Sequence, residues 1–133
     1  MSRGQSLVEL AVCAPVLMLL AFGSVATVQV IEASSGLDIA TRAAAAEAAA
    51  APDAASAQKA AQARFAALIA GYPVHEAHLR IIAGGFSRAD QVTAESSGLV
   101  DVPWTFGNLA GDLVLQSTCT SLIEPWRTRS VSP

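Results

Sequence analysis

The feature that most constrains this chain is an uncharged apolar run near its N-terminus. Residues 10–31 contain no charged side chain and are bracketed by Glu9 and Glu32. As an α-helix, these 22 residues rise about 33 Å, which matches the hydrocarbon core of a bilayer at roughly 30 Å. The run therefore predicts a transmembrane segment at about residues 10–31.

The charges around the run predict its orientation. Arg3 is the only basic residue before it, whereas Glu32 and Asp38 follow it before the next basic residue, Arg42. Because basic residues are enriched on the cytoplasmic side of membrane helices, we expect a single span with the N-terminus in the cytoplasm. The C-terminus is then expected outside.

The composition of the chain excludes one large class of function. Hydrophobic residues make up 53% and charged residues 14% of the sequence, and the net charge is −3. A soluble domain usually carries about 25% charged residues. With no basic surface to neutralise phosphates, we expect no nucleic-acid partner.

The residues before the run resemble the leader of type IV pilin-like proteins. The chain begins MSRGQSLVEL, so that a short basic segment ends at Gly4 and Glu9 is the fifth residue after it. With Leu10, Pro15 and Gly23, this order is most similar to the TadE/TadF minor pilins (pseudopilins) of the Tad (Flp) pilus. Where many type IV pilins have phenylalanine directly after the leader, this chain has glutamine.

The resemblance implies a role for several of these residues. A prepilin peptidase would cut between Gly4 and Gln5 and remove residues 1–4 as a leader. The resemblance further implies that Glu9 acts in assembly by meeting the new N-terminal amine of a neighbouring subunit. Alternatively, Glu9 lies at the headgroup level and favours the positive end of its own helix. Pro15 is expected to kink the membrane helix.

The function implied by the resemblance is that of a minor pilin with no enzymatic activity. Such a protein assembles through its N-terminal helix into a Tad/Flp-type pilus or its biogenesis complex, which serves adherence and surface attachment. The implied partners are the prepilin peptidase, other pilins and pseudopilins, the inner-membrane assembly platform and membrane lipid. The implied location is the bacterial cytoplasmic membrane and, after assembly, an extracellular pilus. No cofactor is expected.

Other processing routes of the N-terminus remain open. An ordinary secretory signal would be cut after Ser24-Val25-Ala26 and release a chain that begins at Thr27. An unprocessed signal anchor would keep residues 1–4. Either route would display an extracytoplasmic binding domain with no role in a pilus. A lipoprotein site at Cys13 is disfavoured because the preceding valine is too large.

After the run, the sequence predicts an α+β domain. Residues 33–70 are about half alanine, the best helix former, so we expect the membrane helix to continue to about Ala51. Pro52 then interrupts it, and Asp53 is the expected N-cap of a second alanine-rich helix. The expected division is a leader at residues 1–4, an N-terminal helix at 5–51 and an extracytoplasmic pilin-like domain at 52–133.

A change of periodicity predicts strands in the second half of the chain. Four short stretches rich in β-forming residues are separated by glycine-containing breaks. The Ser97-Gly98 step is short enough for a tight hairpin. We therefore expect a small four-stranded antiparallel sheet, with strands at residues 77–83, 91–96, 99–106 and 113–122.

Catalytic and metal-binding patterns are weak. His75 and His78 lack the four-residue spacing that places two imidazoles on one helix face. Cys13 and Cys119 have no metal-ligand spacing, and the first lies inside the predicted span, so we expect neither a metal nor a disulfide. We therefore assign no catalytic residue.

Two features leave alternatives open. The alanine-rich surface either packs closely against neighbouring helices, as small residues permit, or fills exposed positions with a good helix former. Trp104 and Trp126 are expected in the core, with a lipid or partner surface as the alternative.

Overall fold

The computed structural model describes residues 2–84, 90–102 and 111–123, and it shows two helices followed by an antiparallel sheet. This confirms the α+β class, the long N-terminal helix and the second alanine-rich helix. The sheet has three strands in the order β1-β2-β3. The elements are α1 (Ser2–Ala50), α2 (Ala54–Ile69), β1 (His75–Ala83), β2 (Gln91–Val102) and β3 (Gly111–Leu122).

The break between the two helices lies where the sequence predicts it. Asp53 is the N-cap of α2, and its Oδ1 accepts hydrogen bonds from the backbone N–H groups of Ala55 at 3.0 Å and Ser56 at 2.9 Å. The hydrogen bond from the Ser56 backbone is the main reason why the pKa of the Asp53 carboxyl lies below its usual value, and the Ser56 hydroxyl lowers it further. The predicted N-cap is therefore confirmed.

The predicted four-stranded sheet is wrong. Ser97 pairs with His78 on β1 and with Gln116 on β3, so the expected Ser97-Gly98 hairpin is an interior part of β2. The predicted strands at 91–96 and 99–106 form one strand that ends at Val102, and residues 103–106 lie outside the described part of the chain. The predicted strands at 77–83 and 113–122 correspond to β1 and β3.

The reason for this error is the role of one glycine. Gly98 lies opposite Leu115 in the β2–β3 ladder. A Cβ at this position would overlap Cγ1 of Val74, the residue that precedes β1. Glycine is therefore present because another segment approaches the strand closely. In the sequence alone, a glycine with this role looks the same as a glycine in a turn.

The core lies between α1, α2 and one face of the sheet. Val92 and Ala94 on β2 are fully buried and face the helices. Most buried helical side chains are alanines, which lets the two helices approach closely. Part of the alanine-rich surface is therefore buried within the subunit. The buried helical residues of the main core are Leu37, Ala40, Ala44, Ala48, Ala57, Ala61, Phe65 and Ile69.

A second glycine allows the segment that follows α2 to pack directly on α1. A Cβ added to Gly36, in the second half of α1, would overlap the ring of Tyr72. Because the ring occupies the space where a side chain would stand, it packs directly on the backbone of α1. This contact fixes the chain between α2 and β1 against the long helix.

Candidate membrane and assembly site

The predicted processing and assembly residues all lie in the first fifteen residues of α1. Gly4 and Gln5 are in its first turns, Glu9 and Pro15 follow, and all four are exposed. The Glu9 carboxylate has no hydrogen-bond or ion-pair partner among the described residues. Within one subunit, the described residues therefore leave this charge available to another molecule.

The surrounding helix exposes large apolar side chains in every direction. Leu17 is 64% exposed, and Leu7, Leu10, Leu20 and other large apolar residues up to Val25 are more than half exposed. Burying one such side chain is worth about 1.5–3 kcal/mol, so this surface is unfavourable in water. Among the described residues, α1 is the one helix long and apolar enough to cross a membrane. This segment fits a membrane anchor.

Polar groups inside this segment are compatible with lipid. The Ser24 hydroxyl donates to the Leu20 carbonyl at 2.7 Å, and the Thr27 hydroxyl donates to the Gly23 carbonyl at 2.8 Å. Both hydroxyls are thus satisfied within the helix. α1 also continues without interruption through Pro15. The kink expected there stays a prediction.

The environment of α1 changes at Ala26, which is only 6% exposed. From here the inner face of the helix lies against the sheet. The last turns of the apolar run form one wall of a groove of about 460 Å³, and the adjoining ends of β2 and β3 form the other. The groove is lined by Gly23, Ala26, Thr27, Val30, Ile31, Val102, Gly111, Asp112 and Leu113.

A buried polar contact fixes how α1 rests on the sheet. Thr41 is fully buried, and its hydroxyl donates to the Leu37 carbonyl at 2.6 Å. The same hydroxyl lies 2.5 Å from the hydroxyl of Ser96 on β2. A rotation of the helix that separates the two hydroxyls would lose this hydrogen bond between α1 and β2, which is worth about 0.5–1.5 kcal/mol.

A second polar contact lies at the edge of the same interface. Ser117 on β3 donates to Oδ1 of Asp38 at 3.2 Å, and Asp38 also pairs with Arg42 at 2.9 Å. From the sequence, Asp38 and Arg42 serve only as charges that orient the span, and none of these contacts is predicted. The helical spacing of Leu37, Thr41 and Ala45 places them on one face of α1. This spacing was the available sequence signal for the face of α1 that is buried.

The described histidine and cysteine residues form no metal-binding cluster. His75 Nε2 lies 3.4 Å from Asp101 Oδ2, with both side chains largely exposed. Across residues 2–84, 90–102 and 111–123, no three metal-ligating side chains come together. Cys13 is exposed on α1, Cys119 is half-buried on β3, and both are free thiols.

Trp104 and Trp126, which the sequence analysis expected in the core, lie outside the described residues.

Comparison with known proteins gives one result, and it falls on α1. Residues 4–46 match the family of TadE-like proteins. No curated protein and no solved structure matches the chain. The matched residues cover the exposed apolar segment, Gly4, Glu9 and most of the alanine-rich face that holds the second helix and the sheet. The match agrees with the resemblance carried by the N-terminal residues, and it shows that residues 4–46 of the chain are similar to TadE-like proteins.

Proposed function

We propose that this protein, which is similar to TadE-like proteins over residues 4–46, is a minor pilin or pseudopilin of a Tad/Flp-type pilus. The first half of α1 anchors it in the bacterial cytoplasmic membrane, with the N-terminus in the cytoplasm and α2 and the sheet outside. The observation that carries the proposal is the exposed apolar surface of residues 4–25, which lies within the TadE-like segment 4–46 and is joined to a small folded domain. Such a surface must be covered, by lipid in the membrane and by other subunits in an assembly.

Leader removal is the first step of the proposed function. A prepilin peptidase cuts between Gly4 and Gln5, and the TadE-like match begins at Gly4. Gly4 and Gln5 are exposed on α1, so the described part of the domain does not obstruct this bond. The cut creates a positively charged amine on Gln5.

Glu9 has the second role in the proposed function. Its carboxylate lies in an apolar segment, where an unpaired charge is costly. In the assembly the freed amine of a neighbouring subunit neutralises it, and neighbouring pilins and the inner-membrane platform surround the pair. The protein acts by this assembly in adherence and surface attachment, and it carries out no enzymatic reaction.

The test is the variant Glu9→Gln, which removes the charge and keeps the size of the side chain. Breaking a buried ion pair by removing one partner costs about 3–5 kcal/mol, which is at least about a hundredfold in an association constant. Co-purification of the variant with the other pilus components should therefore be lost, whereas membrane insertion and leader removal are retained. Piliation of cells that express the variant at normal level should be lost as well.

The matched control is Glu32→Gln, which removes an exposed carboxylate on the other side of the apolar run. It should assemble normally. A headgroup-level carboxylate contributes only about 0.3–1 kcal/mol through the helix dipole. Normal assembly of Glu9→Gln would therefore show that Glu9 is only an interfacial charge, and it would remove the assembly role from the proposal.

A further inference from the structure

The end of the sheet lies beside the last turns of the apolar run. Gly23, Ala26 and Val30 of α1 face the ends of β2 and β3 across the groove described above. Residues 23–31 rise about 12 Å along the helix axis. If the whole run 10–31 were in hydrocarbon, this end of the sheet would be there too.

The end of the sheet is poorly suited to hydrocarbon. Asp101 on β2 lies directly opposite Asp112 on β3, and both residues are exposed. Carboxylates in the hydrocarbon are costly and are normally paired. Among the described residues, His75 contacts Asp101 at the exposed surface.

The backbone at this end requires water as well. The ladder between β1 and β2 ends at the pair His75–Leu99, so residues 100–102 pair with β3 and not with β1. Among the described residues no strand pairs with their other edge, and Asp101 is the exposed residue of the three. Open sheet edges exposed to lipid do not occur within the hydrocarbon region of membranes, because nothing there satisfies the free N–H and C=O groups.

We infer that the outer boundary of the hydrocarbon crosses α1 at about Ala26, and that the end of the β2–β3 pair rests at the level of the lipid headgroups. The exposed apolar side chains of Leu113 and Val114 at this end suit that interfacial position. The membrane span is thus shifted toward the N-terminus by about one and a half helical turns relative to residues 10–31.

The shift changes the position of Glu9. A span of about 20 residues that ends at Val25 begins at about Ser6. Glu9 then lies about 4.5 Å inside the hydrocarbon instead of at its border. The same contacts that place the sheet on the membrane surface therefore draw this carboxylate into lipid, where it needs a cationic partner.

The inference rests on the proposed membrane anchor, and cysteine labelling of the full chain in lipid nanodiscs tests the two separately. Cys13→Ser and Cys119→Ser provide a background without thiols. Leu20, Val28, Ile31 and Ile39, which are 63%, 54%, 58% and 49% exposed, are each replaced by cysteine. The rate of reaction with a charged, membrane-excluded maleimide is divided by the rate for the same variant in denaturant.

Val28→Cys and Ile31→Cys should react at rates close to that of Ile39→Cys, which lies outside the membrane in either placement. Leu20→Cys should react at least about tenfold more slowly, because hydrocarbon excludes the charged reagent. If Val28→Cys and Ile31→Cys are as slow as Leu20→Cys, the boundary lies beyond Ile31 and the inference is wrong, although the anchor stands. If all four react rapidly, the membrane anchor and the inference fall together.

Discussion

The two halves of α1 differ in what surrounds them, although they form one uninterrupted helix. In residues 4–25 the large apolar side chains are exposed, as for Leu17 at 64%. In the second half the inner face is buried by α2 and the sheet, and Leu37 is 1% exposed. The buried positions there are mainly alanine, and the exposed positions include charged residues such as Arg42 and Glu47.

This difference shows that the two halves are built for different surroundings. From Ala33 on, the second half largely follows the usual rule for a protein in water, with apolar residues inside and charged residues outside, although Ile39 is also exposed. The first half reverses it, because its largest apolar residues face outward with no partner in the described chain. Helix propensity explains why α1 is one continuous helix. The surroundings of each half explain which of its residues are apolar and which are charged.

The largest effect is expected from the same substitution made in each half. Leu37→Ala removes a fully buried side chain from between α1, α2 and the sheet, and it should lower the free energy of unfolding of the domain by about 2–5 kcal/mol. Leu17→Ala should leave that free energy unchanged. The measurement is urea unfolding of the full chain in detergent micelles, followed by the reactivity of Cys119 in a Cys13→Ser background. Equal destabilisation by both substitutions would show that the two halves share one environment.

A smaller effect is expected from glycine substitutions in the two halves. Gly36→Ala places a methyl group in the space of the Tyr72 ring, and forced repacking of this kind typically costs about 1–3 kcal/mol. Gly23→Ala is the control, because a Cβ there meets no atom within 4 Å. The same urea unfolding experiment measures both. An unchanged midpoint for Gly36→Ala would mean that the ring does not pack on α1.

The smallest effect concerns the boundary between the two helices and its pH dependence. The pKa of Asp53 is lowered in the folded chain by hydrogen bonds from Ser56 and Ala55. Its contribution is therefore present above the usual pKa of 3.8 and is lost as the pH falls through the lower folded value. Asp53→Asn keeps an N-cap that does not titrate, so its unfolding midpoint should fall less than that of the parent chain between about pH 6 and about pH 3. Parallel loss in both chains would contradict this role.

The sequence was sufficient for features that depend on local chemistry. A proline followed by aspartate predicted the end of α1 and the start of α2, because capping and proline geometry act within one helical turn. It was insufficient where glycine could mean either a turn or a close approach, and Gly98 was of the second kind. The hydroxyl pair of Thr41 and Ser96 is also a tertiary contact, between residues 55 positions apart.

The limits of the membrane span could not be derived from the apolar run alone. Residues 26–31 are uncharged and mostly apolar whether they face lipid or the sheet, and the sequence pattern is the same in both cases. Only the position of the sheet beside Ala26 and Val30 distinguishes the two. The N-terminal residues that carry the TadE-like resemblance could be recognised in sequence because their order along the chain is itself the signal.

The central claim, that the two halves of α1 remain joined in the mature protein as an anchored pilin, is tested most directly by the N-terminus of that protein. An ordinary secretory signal would be cut after Ala26, at the junction between the halves. Intact mass and N-terminal sequencing, with and without a prepilin peptidase, should show a chain that begins at Gln5 only when the peptidase is present, and a bulkier residue at Gly4, such as Gly4→Leu, should block the cut. A mature protein that begins at Thr27, or one that keeps Met1–Gly4 in the presence of the peptidase, would contradict the claim.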